Sequence, residues 1–328
     1  MKLIIQIPCY NEEKTLPQTF HDLPKSIDGI DEIEYLIIDD GSKDATVATA
    51  RSLGIHHVVS FRRNRGLAKG FMAGIDACLR LGADIIVNTD ADNQYSGEDI
   101  EKLVQPIVAG QADMVIGERP INDIEHFSPI KKKMQHFGSW VVRKASGTEV
   151  PDAPSGFRAY SRDAALRLNV INEYTYTIET IIQAGMNKTA IASVQIRTNP
   201  ETRKSRLFKS IWQYMKRSGS VIVRTVIMYK PMKFFFVLGG LSFIVGAAFI
   251  IRFIVSYFTG GTGMIQSLIL ASMLVIIAVQ FFAAGIFSDL QAANRKMLEE
   301  LLLRVRRVEY GAGQDHLDND KRSDNSVK

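Results

Sequence analysis

Cysteine is scarce: Cys9 and Cys78 are the only two in 328 residues, so there is no disulfide framework and no repeated Cys/His spacing for a structural zinc site. That usage suits a chain facing the reducing cytosol. Low-complexity and collagen-like stretches are missing too, and 46% hydrophobic against 23% charged residues excludes disorder throughout. A large net charge is also lacking, since 40 Lys and Arg oppose 35 Asp and Glu, leaving +5. That small value is a cancellation. Residues 1–196 carry 21 basic and 26 acidic groups, and residues 197–233 carry 10 and one. Residues 234–288 hold Arg252 as their single charge, and residues 289–328 balance at 8 and 8.

The nearly uncharged region is long enough to matter. Phe234–Ile251 gives 18 uncharged residues, continued past Arg252 by Phe253–Phe258, and Met264–Ser288 gives 25 more. At about 1.5 Å per residue either stretch crosses a hydrocarbon core of about 30 Å. Thr259–Gly263 suits a tight turn, so spans of about 233–257 and 264–288 are expected to form a transmembrane hairpin within 231–288. Two buried helices of a soluble protein are the alternative, although such helices rarely run this long without a polar face. Lys230 and Lys233 precede the hairpin, and Arg295, Lys296, Arg304, Arg306 and Arg307 follow it. The positive-inside rule then places the N-terminal domain and both termini in the cytoplasm, on a plasma or inner membrane. A strand-like segment starts right after Met1, so no signal peptide is expected.

Residues 1–205 alternate short apolar runs with helical patterns, the mark of an α/β domain with a parallel sheet covered by helices. Strands are predicted at Lys2–Ile7, Tyr35–Ile38, His57–Phe61, Ile85–Asn88 and Met114–Ile116, and helices at Asn11–Leu23, Ala45–Leu53 and Gly66–Leu81. Polar clusters recur at the carboxyl ends of these strands, the edge where open α/β sheets bind ligands. Asp90-Ala91-Asp92 is the clearest of them. Two carboxylates separated by one residue at a strand end can point the same way, a pair of hard ligands for Mg²⁺ or Mn²⁺ bridging to a diphosphate, and Gln94 can add a neutral oxygen. Asp39 and Asp40 suit turn chemistry, with Ser42 or Asp44 as a helix cap, or the hydroxyls of a ribose. Lys69, near Asn64-Arg65-Gly66 at a helix start, fits a diphosphate contact and equally a solvated lysine on a capped helix.

Pro8-Cys9-Tyr10-Asn11-Glu12, Asp39-Asp40-Gly41-Ser42 with Asp44 and Thr46, Asn64-Arg65-Gly66-Leu67 and Asp90-Ala91-Asp92 occur in that order, each after a strand. In this the chain resembles the family 2 glycosyltransferases over roughly residues 1–205. The resemblance implies a Rossmann-like domain of GT-A type, with nucleotide binding carried to Pro8, Tyr10, Glu12, Asp39, Asp40, Lys69, Asp90 and Ala91, and metal binding to Asp90, Asp92 and Gln94. Asp152-Ala153-Pro154-Ser155-Gly156-Phe157-Arg158 is similar to the Ser-Gly-Phe-Arg segment of the dolichyl-phosphate mannose synthase branch and its bacterial polyprenyl-phosphate relatives. Asp152 stands where some of these have a carboxylate near the acceptor, and Gly117-Glu118-Arg119 resembles the branch's Gly-x-Arg. Thr202–Arg206 takes the place of its Arg-x-Gly-x-Ser-Lys element but lacks the glycine, and Arg206 replaces the lysine. The resemblance thus implies catalytic parts for Asp92, Arg119 and Asp152, and an acceptor phosphate held by Arg119, Arg158, Arg203, Ser205 and Arg206. Lys131-Lys132-Lys133 and His136 fall in a polar stretch that reads as an acceptor loop or a solvated face.

The basic belt from Arg197 to Lys233 joins the apolar region, and within it 206–230 mixes Phe208, Trp212 and Tyr214 with lysines and arginines, as interfacial helices do. An acidic globular part and a belt next to a span argue against nucleic acid as partner. The expected partners are a nucleotide-sugar donor, of GDP-mannose or UDP-glucose type, a polyprenyl phosphate such as dolichyl or undecaprenyl phosphate, and membrane lipids. The expected reaction is metal-dependent, inverting hexosyl transfer between the first two. A processive polysaccharide synthase is a second reading, but Gln213 is followed by Tyr214-Met215-Lys216-Arg217 instead of that group's Gln-x-x-Arg-Trp, and two spans make a poor channel. A non-catalytic nucleotide-sugar sensor is a third. Residues 289–328 read as a cytoplasmic helix, Leu290–Tyr310, able to lie on the membrane or join a homo-oligomer, and a polar tail from Gly311 expected to be disordered.

Overall fold

A computed structural model of the chain describes residues 1–120, 129–171, 175–200, 231–260 and 265–325, with isolated positions between 219 and 227, and gives backbone alone at 129–134 and 312–325. The chain divides into two units, Met1–Ile222 with Leu302–Lys328, and Val223–Leu301.

The first unit is built on seven strands: β1 (Lys2–Cys9), β2 (Glu32–Asp39), β3 (His57–Ser60), β4 (Ile85–Asn88), β5 (Met114–Glu118), β6 (Arg158–Ser161) and β7 (Ile191–Gln195). They lie in the order β3-β2-β1-β4-β6-β5-β7. Leu3, Ile4, Ile5 and Ile7 of β1 and Ile86 and Val87 of β4 are fully buried, because helices cover both faces of the sheet. Each such side chain contributes about 1.5–3 kcal/mol of burial. The covering helices are α1 (Leu16–His21), α2 (Thr46–Ser52), α3 (Leu67–Arg80), α4 (Ile100–Val108, after a 3₁₀ turn at Gly97–Asp99), α5 (Pro129–Ser146), α6 (Arg162–Arg167) and α7 (Thr177–Met186).

The sheet departs from the all-parallel expectation at one strand. β6 runs antiparallel to both β4 and β5, with Arg158 opposite Asn88 and Ile116. The loop that feeds β6, Asp152–Phe157, therefore arrives at the same edge where β1, β2, β4 and β5 end. The first helix is also shorter than its predicted span of Asn11–Leu23: residues 10–15 form turns that bond to the loop after β2, and regular helix begins only at Leu16.

The second unit contains α8 (Pro231–Phe258) and the start of α9 (Ile265–Asn325). Both carry apolar windows long enough to cross a membrane, with mean hydropathy 2.5 and 2.4, and only 11% and 17% of those windows is buried. Helices of a soluble core would be largely covered. The pair packs through small residues: a Cβ at Gly239 would come within 2.7 Å of Phe282, one at Gly246 within 3.2 Å of Leu274, and Ser242 Oγ donates to Leu274 O (3.0 Å). Close backbone approach of this kind is how apolar helices associate without a hydrophobic driving force.

Residues 302–310 of α9 belong to the first unit and sit on α3 and α6. Arg306 donates to the carbonyls of Leu166 (3.0 Å) and Leu168 (2.6 Å), Arg307 pairs with Asp163 (2.6 Å), and Glu309 pairs with Arg80 (2.7 Å). Tyr310 is buried and its hydroxyl meets Asp76. The helix continues to Asn325, through the stretch whose composition predicts disorder, since extending an existing helix needs no new nucleus.

Candidate active site

The carboxyl ends of β1 and β2 are knitted together by side chains that accept backbone N–H groups. Ser42 Oγ accepts from Asn11 N (2.9 Å), Asn11 Oδ1 from Lys43 N (2.8 Å), and Thr46 Oγ1 from Glu12 N (2.8 Å). Asn11 adopts φ +56°, a conformation asparagine tolerates better than most residues. Tyr10 is exposed and Pro8, near the end of β1, is half-buried, whereas Glu12 is buried and its carboxylate accepts from Thr15 Oγ1 (2.7 Å).

Asp39 and Asp40 are both buried and have structural work. Asp39 Oδ1 accepts from Ser42 N (2.9 Å), the turn chemistry anticipated for it. Asp40 reaches further, taking the backbone N–H groups of Arg65 (2.6 Å) and Gly66 (2.9 Å) at the start of α3. Gly66, at φ 92° and ψ 156°, occupies backbone space that side chains disfavour. Gly41 has the same need: at φ +73°, its Cβ would lie 2.6 Å from the carbonyl carbon of Arg63. The loop holding Arg63, Asn64 and Arg65 is thus pinned over the β2 end, with these side chains and Lys69 exposed.

Asp90 and Asp92 follow β4, half-buried, on either side of a buried Ala91. α1 anchors their loop: Thr19 Oγ1 donates to Ala91 O (3.0 Å), and Asn93 Nδ2 to Asp22 Oδ2 (2.9 Å). Asn93 turns the chain at φ +56°, and the Gln94 N–H donates to Asp92 Oδ1 (3.2 Å). Among the described residues no three His, Cys, Asp or Glu side chains form a closed metal cage. Two half-buried hard carboxylates at a strand end are instead a partial donor set. That fits Mg²⁺ or Mn²⁺, which keep water and phosphate oxygens in their remaining positions.

Beneath Asp90 lies a buried polar network. Gln6 Nε2 donates to Asn88 Oδ1 (2.9 Å), and Asn88 Nδ2 donates to Gly156 O (2.9 Å) and to the Tyr176 hydroxyl (2.9 Å). The Gly156 N–H donates to the Tyr95 hydroxyl (3.2 Å). Tyr176 stacks on Phe71 at 3.9 Å, and Tyr95 on Phe157 at 4.8 Å. Gly156 itself faces the acid: a Cβ there would lie 3.4 Å from Asp90 Oδ2 and 3.0 Å from the Tyr176 hydroxyl. Burial, reinforced by the negative charge of Asp90, raises both tyrosine hydroxyls well above their ordinary pKa, so they remain neutral hydrogen-bonding groups. The charges of Arg119 and Asp152 also act on Tyr95, in opposite directions.

Arg119 and Asp152 form a two-pronged pair, Nε to Oδ2 at 2.7 Å and Nη2 to Oδ1 at 2.9 Å, joined by the Arg119 N–H at 3.3 Å. Asp152 is fully buried, and the Arg119 side chain is 14% exposed. Arg158 is placed differently from its expected part at the acceptor phosphate. It is fully buried, and its guanidinium donates to the carbonyls of Ser155, Ala153 and Thr177 and to Thr180 Oγ1, at 2.7–2.9 Å. Its donors shape the Asp152–Phe157 loop from within by satisfying the buried carbonyls of Ala153 and Ser155.

A further strut reaches the Asp90–Gln94 loop from the end of β7. Tyr95 and Thr198 form an antiparallel bridge, Asn199 N donates to Gln94 O (2.9 Å), and Asn199 Nδ2 to Asn93 O (3.0 Å). Arg197 locks this strut. Its N–H donates to the buried Asp99 (2.6 Å), and its guanidinium bonds Asp99 (2.9 Å) and Glu98 (2.9 Å). Burial alone would raise the Asp99 pKa, but Arg197 and Lys102 outweigh it and hold the carboxyl below its usual range.

Of the residues singled out from sequence, Pro8, Tyr10, Glu12, Asp39, Asp40, Asp90, Ala91, Asp92, Gln94, Arg119 and Asp152 all come to the carboxyl edge of the sheet, with Lys69 on the first turn of α3. Arg203, Ser205 and Arg206 lie outside the described residues. Sequence reasoning passed over Asn88, Tyr95, Tyr176 and Asp99, and it counted Arg197 in the basic belt, whereas its guanidinium is engaged by Asp99 and Glu98. Asn88 carried the one legible signal, a polar residue closing an otherwise apolar strand.

The profile described as Glycosyl transferase family 2 matches residues 4–168, half of the chain. A UDP-N-acetylglucosamine–dolichyl-phosphate N-acetylglucosaminyltransferase of Methanococcus voltae is 33% identical over 217 residues, covering 58% of this chain and 83% of the relative. An undecaprenyl-phosphate 4-deoxy-4-formamido-L-arabinose transferase of Sodalis glossinidius is 27% identical over 302 residues, or 88% and 87% of the two chains. Among solved structures, glucosyl-3-phosphoglycerate synthase from Mycobacterium tuberculosis, crystallised with Mn²⁺, UDP and glucosyl-3-phosphoglycerate, aligns with a TM-score of 0.54 at 19% identity, over 69% of this chain and 78% of that one. At that identity the likeness is one of fold, and the shared fold is the GT-A sheet described above. The chain belongs to glycosyltransferase family 2 and is a sugar-transferring enzyme.

Proposed function

We propose that the protein transfers a hexosyl group from a nucleotide sugar to a polyprenyl phosphate at a membrane, with inversion at the anomeric carbon. The observation that carries this reading is the meeting, at one sheet edge, of the Asp90–Asp92 pair, Gly156 and the Arg119–Asp152 pair, in a chain that also has two long, exposed apolar helices. Both relatives are named for transfer to a lipid phosphate, and the alignment with the second extends across those helices.

The nucleotide lies over Pro8, Tyr10, Glu12 and the Asp39–Asp40 turn, with Lys69 near the diphosphate. Asp90, Asp92 and Gln94 would hold Mg²⁺ or Mn²⁺, which would supply positive charge to the nucleoside diphosphate leaving group. The acceptor phosphate has a second pKa of about 6 and is largely ionised at neutral pH. Its oxygen attacks the anomeric carbon, a carbon–oxygen bond forms to it, and the bond to the diphosphate breaks. No side chain has to remove a proton. Asp152 accordingly orients Arg119 toward the acceptor phosphate, with Arg203, Ser205 and Arg206 as its further ligands. Arg158 supports the loop and does not touch the phosphate.

Asp90→Asn and Asp92→Asn test the assignment. Each should lower transfer at least about 100-fold, the scale of losing a key electrostatic contact, while the protein still inserts in membranes. Undiminished transfer in both variants would remove these residues from the site.

A further inference from the structure

α5 presents its faces in an order unlike that of a globular-protein helix. Among its described residues, the side buried against the domain is Gln135, Ser139, Val142 and Ser146, three of them polar. Ser139 Oγ accepts the Ala153 N–H (3.2 Å), and Ser146 Oγ donates to Val142 O (2.7 Å). The outward side carries Phe137, 63% exposed, and Trp140, 48% exposed, with their rings stacked at 5.9 Å. Phe137, Trp140 and the exposed Lys144 recur at helical spacing and so share one stripe. Across all 18 residues the helix has five basic side chains and no acidic one.

Two aromatics held out in water while polar residues are buried is a costly arrangement unless something apolar meets them. Five like charges on one helix, with no acid among them, disfavour its pairing with a second copy of itself. Phe and Trp bodies flanked by cations match an anionic bilayer surface, apolar a few ångströms down and negative at the top. We propose that this stripe of α5 is a lipid-contacting surface, with Phe137 and Trp140 entering the interfacial layer and the basic residues meeting headgroup phosphates. It takes its membrane setting from the proposed function but does not depend on sugar transfer.

The chain has two tryptophans, so Trp212→Phe leaves Trp140 as the sole indole. Full-length Trp212→Phe protein is reconstituted in phosphatidylcholine–phosphatidylglycerol vesicles, with and without lipid brominated high on the acyl chain. Bromolipid should roughly halve Trp140 emission, as expected for a ring several ångströms below the headgroups, and aqueous iodide should quench little. If the variant folds poorly, the difference between the native chain and Trp140→Phe reports the same ring. Emission sensitive to iodide and not to bromolipid would overturn the proposal, as would insensitivity to both, which would mean that protein covers the ring. Quenching that is lost when single-stranded RNA is added would assign the face to nucleic acid instead. Transfer measured on the same vesicles separates the two claims: quenching without transfer counts against the enzyme reading alone.

Discussion

The Arg119–Asp152 pair offers a prediction whose size follows from its geometry. Asp152 is fully buried, and Arg119 approaches it through two side-chain N–H groups at 2.7 and 2.9 Å. Arg119→Met removes the partner and leaves a charged carboxylate in the interior, a change that costs about 3–5 kcal/mol. In a domain of this size that lowers the unfolding midpoint by on the order of 6–20 °C. Asp152→Asn removes the charge and one of the two acceptor oxygens, so the loss is nearer that of a charge-assisted hydrogen bond, about 1.5–3 kcal/mol. The double variant Arg119→Met/Asp152→Leu should be less destabilised than Arg119→Met alone, because nothing charged is left behind. Thermal unfolding of the full chain in detergent gives the stabilities, and initial transfer rates across pH give the roles. Arg119→Met should lose transfer, whereas Asp152→Asn should keep the shape of the native pH profile. An Asp152→Asn protein of native stability that loses transfer together with the acidic limb of the profile would show that Asp152 removes a proton, and the positioning account would fall.

Gly156→Ala should weaken metal stimulation, because its methyl would press on the Asp90 carboxylate and the Tyr176 hydroxyl. Overpacking of about 1–3 kcal/mol, if it falls on the metal site, raises the half-saturating Mn²⁺ concentration about 5- to 150-fold in a titration of transfer rate. Gly41→Ala, with φ +73° and a Cβ 2.6 Å from the Arg63 backbone, should reduce nucleotide binding and stability together, measured by donor-induced shifts of the unfolding midpoint. Asp99 links stability to pH. Its folded pKa is depressed, so its contribution is present above the unfolded value of about 3.9 and fades as pH falls through the lower folded value. Asp99→Asn should lose that contribution at neutral pH and flatten the acid limb of a stability–pH curve, and an unchanged acid limb would mean that the Arg197 strut carries little energy.

Much of the fold is legible because β1, β2, β4 and β5 are apolar runs that stop abruptly at polar clusters, and those clusters are the site. β6 escapes because it opens on Arg158, whose burial depends on the carbonyls of Ala153, Ser155 and Thr177, partners that hydropathy patterns do not reveal. β7 escapes because it is an edge strand of half-buried and exposed residues. The hairpin is legible from length and missing charge, but the small-residue seam at Gly239, Ser242 and Gly246 emerges only when the helices are paired. Within the site, the acids themselves stand out, whereas their supports come from four separate stretches of chain: Gln6 and Asn88 on neighbouring strands, Gly156 before an antiparallel strand, and Tyr176 at the start of α7. Asp40 shows the limit from the other side. Its position after β2 is readable, but its grip on the N–H groups of Arg65 and Gly66 depends on a loop 25 residues away.

The central claim, that this domain passes a sugar from a nucleotide to a lipid phosphate, is tested most directly with purified protein, labelled nucleotide sugars and short polyprenyl phosphates, with the lipid fraction weighed by mass spectrometry. The account predicts a polyprenyl phosphate heavier by one hexosyl residue, formed with a divalent cation and suppressed by EDTA. Water-soluble products alone, or a lipid carrying a growing polysaccharide, would contradict it.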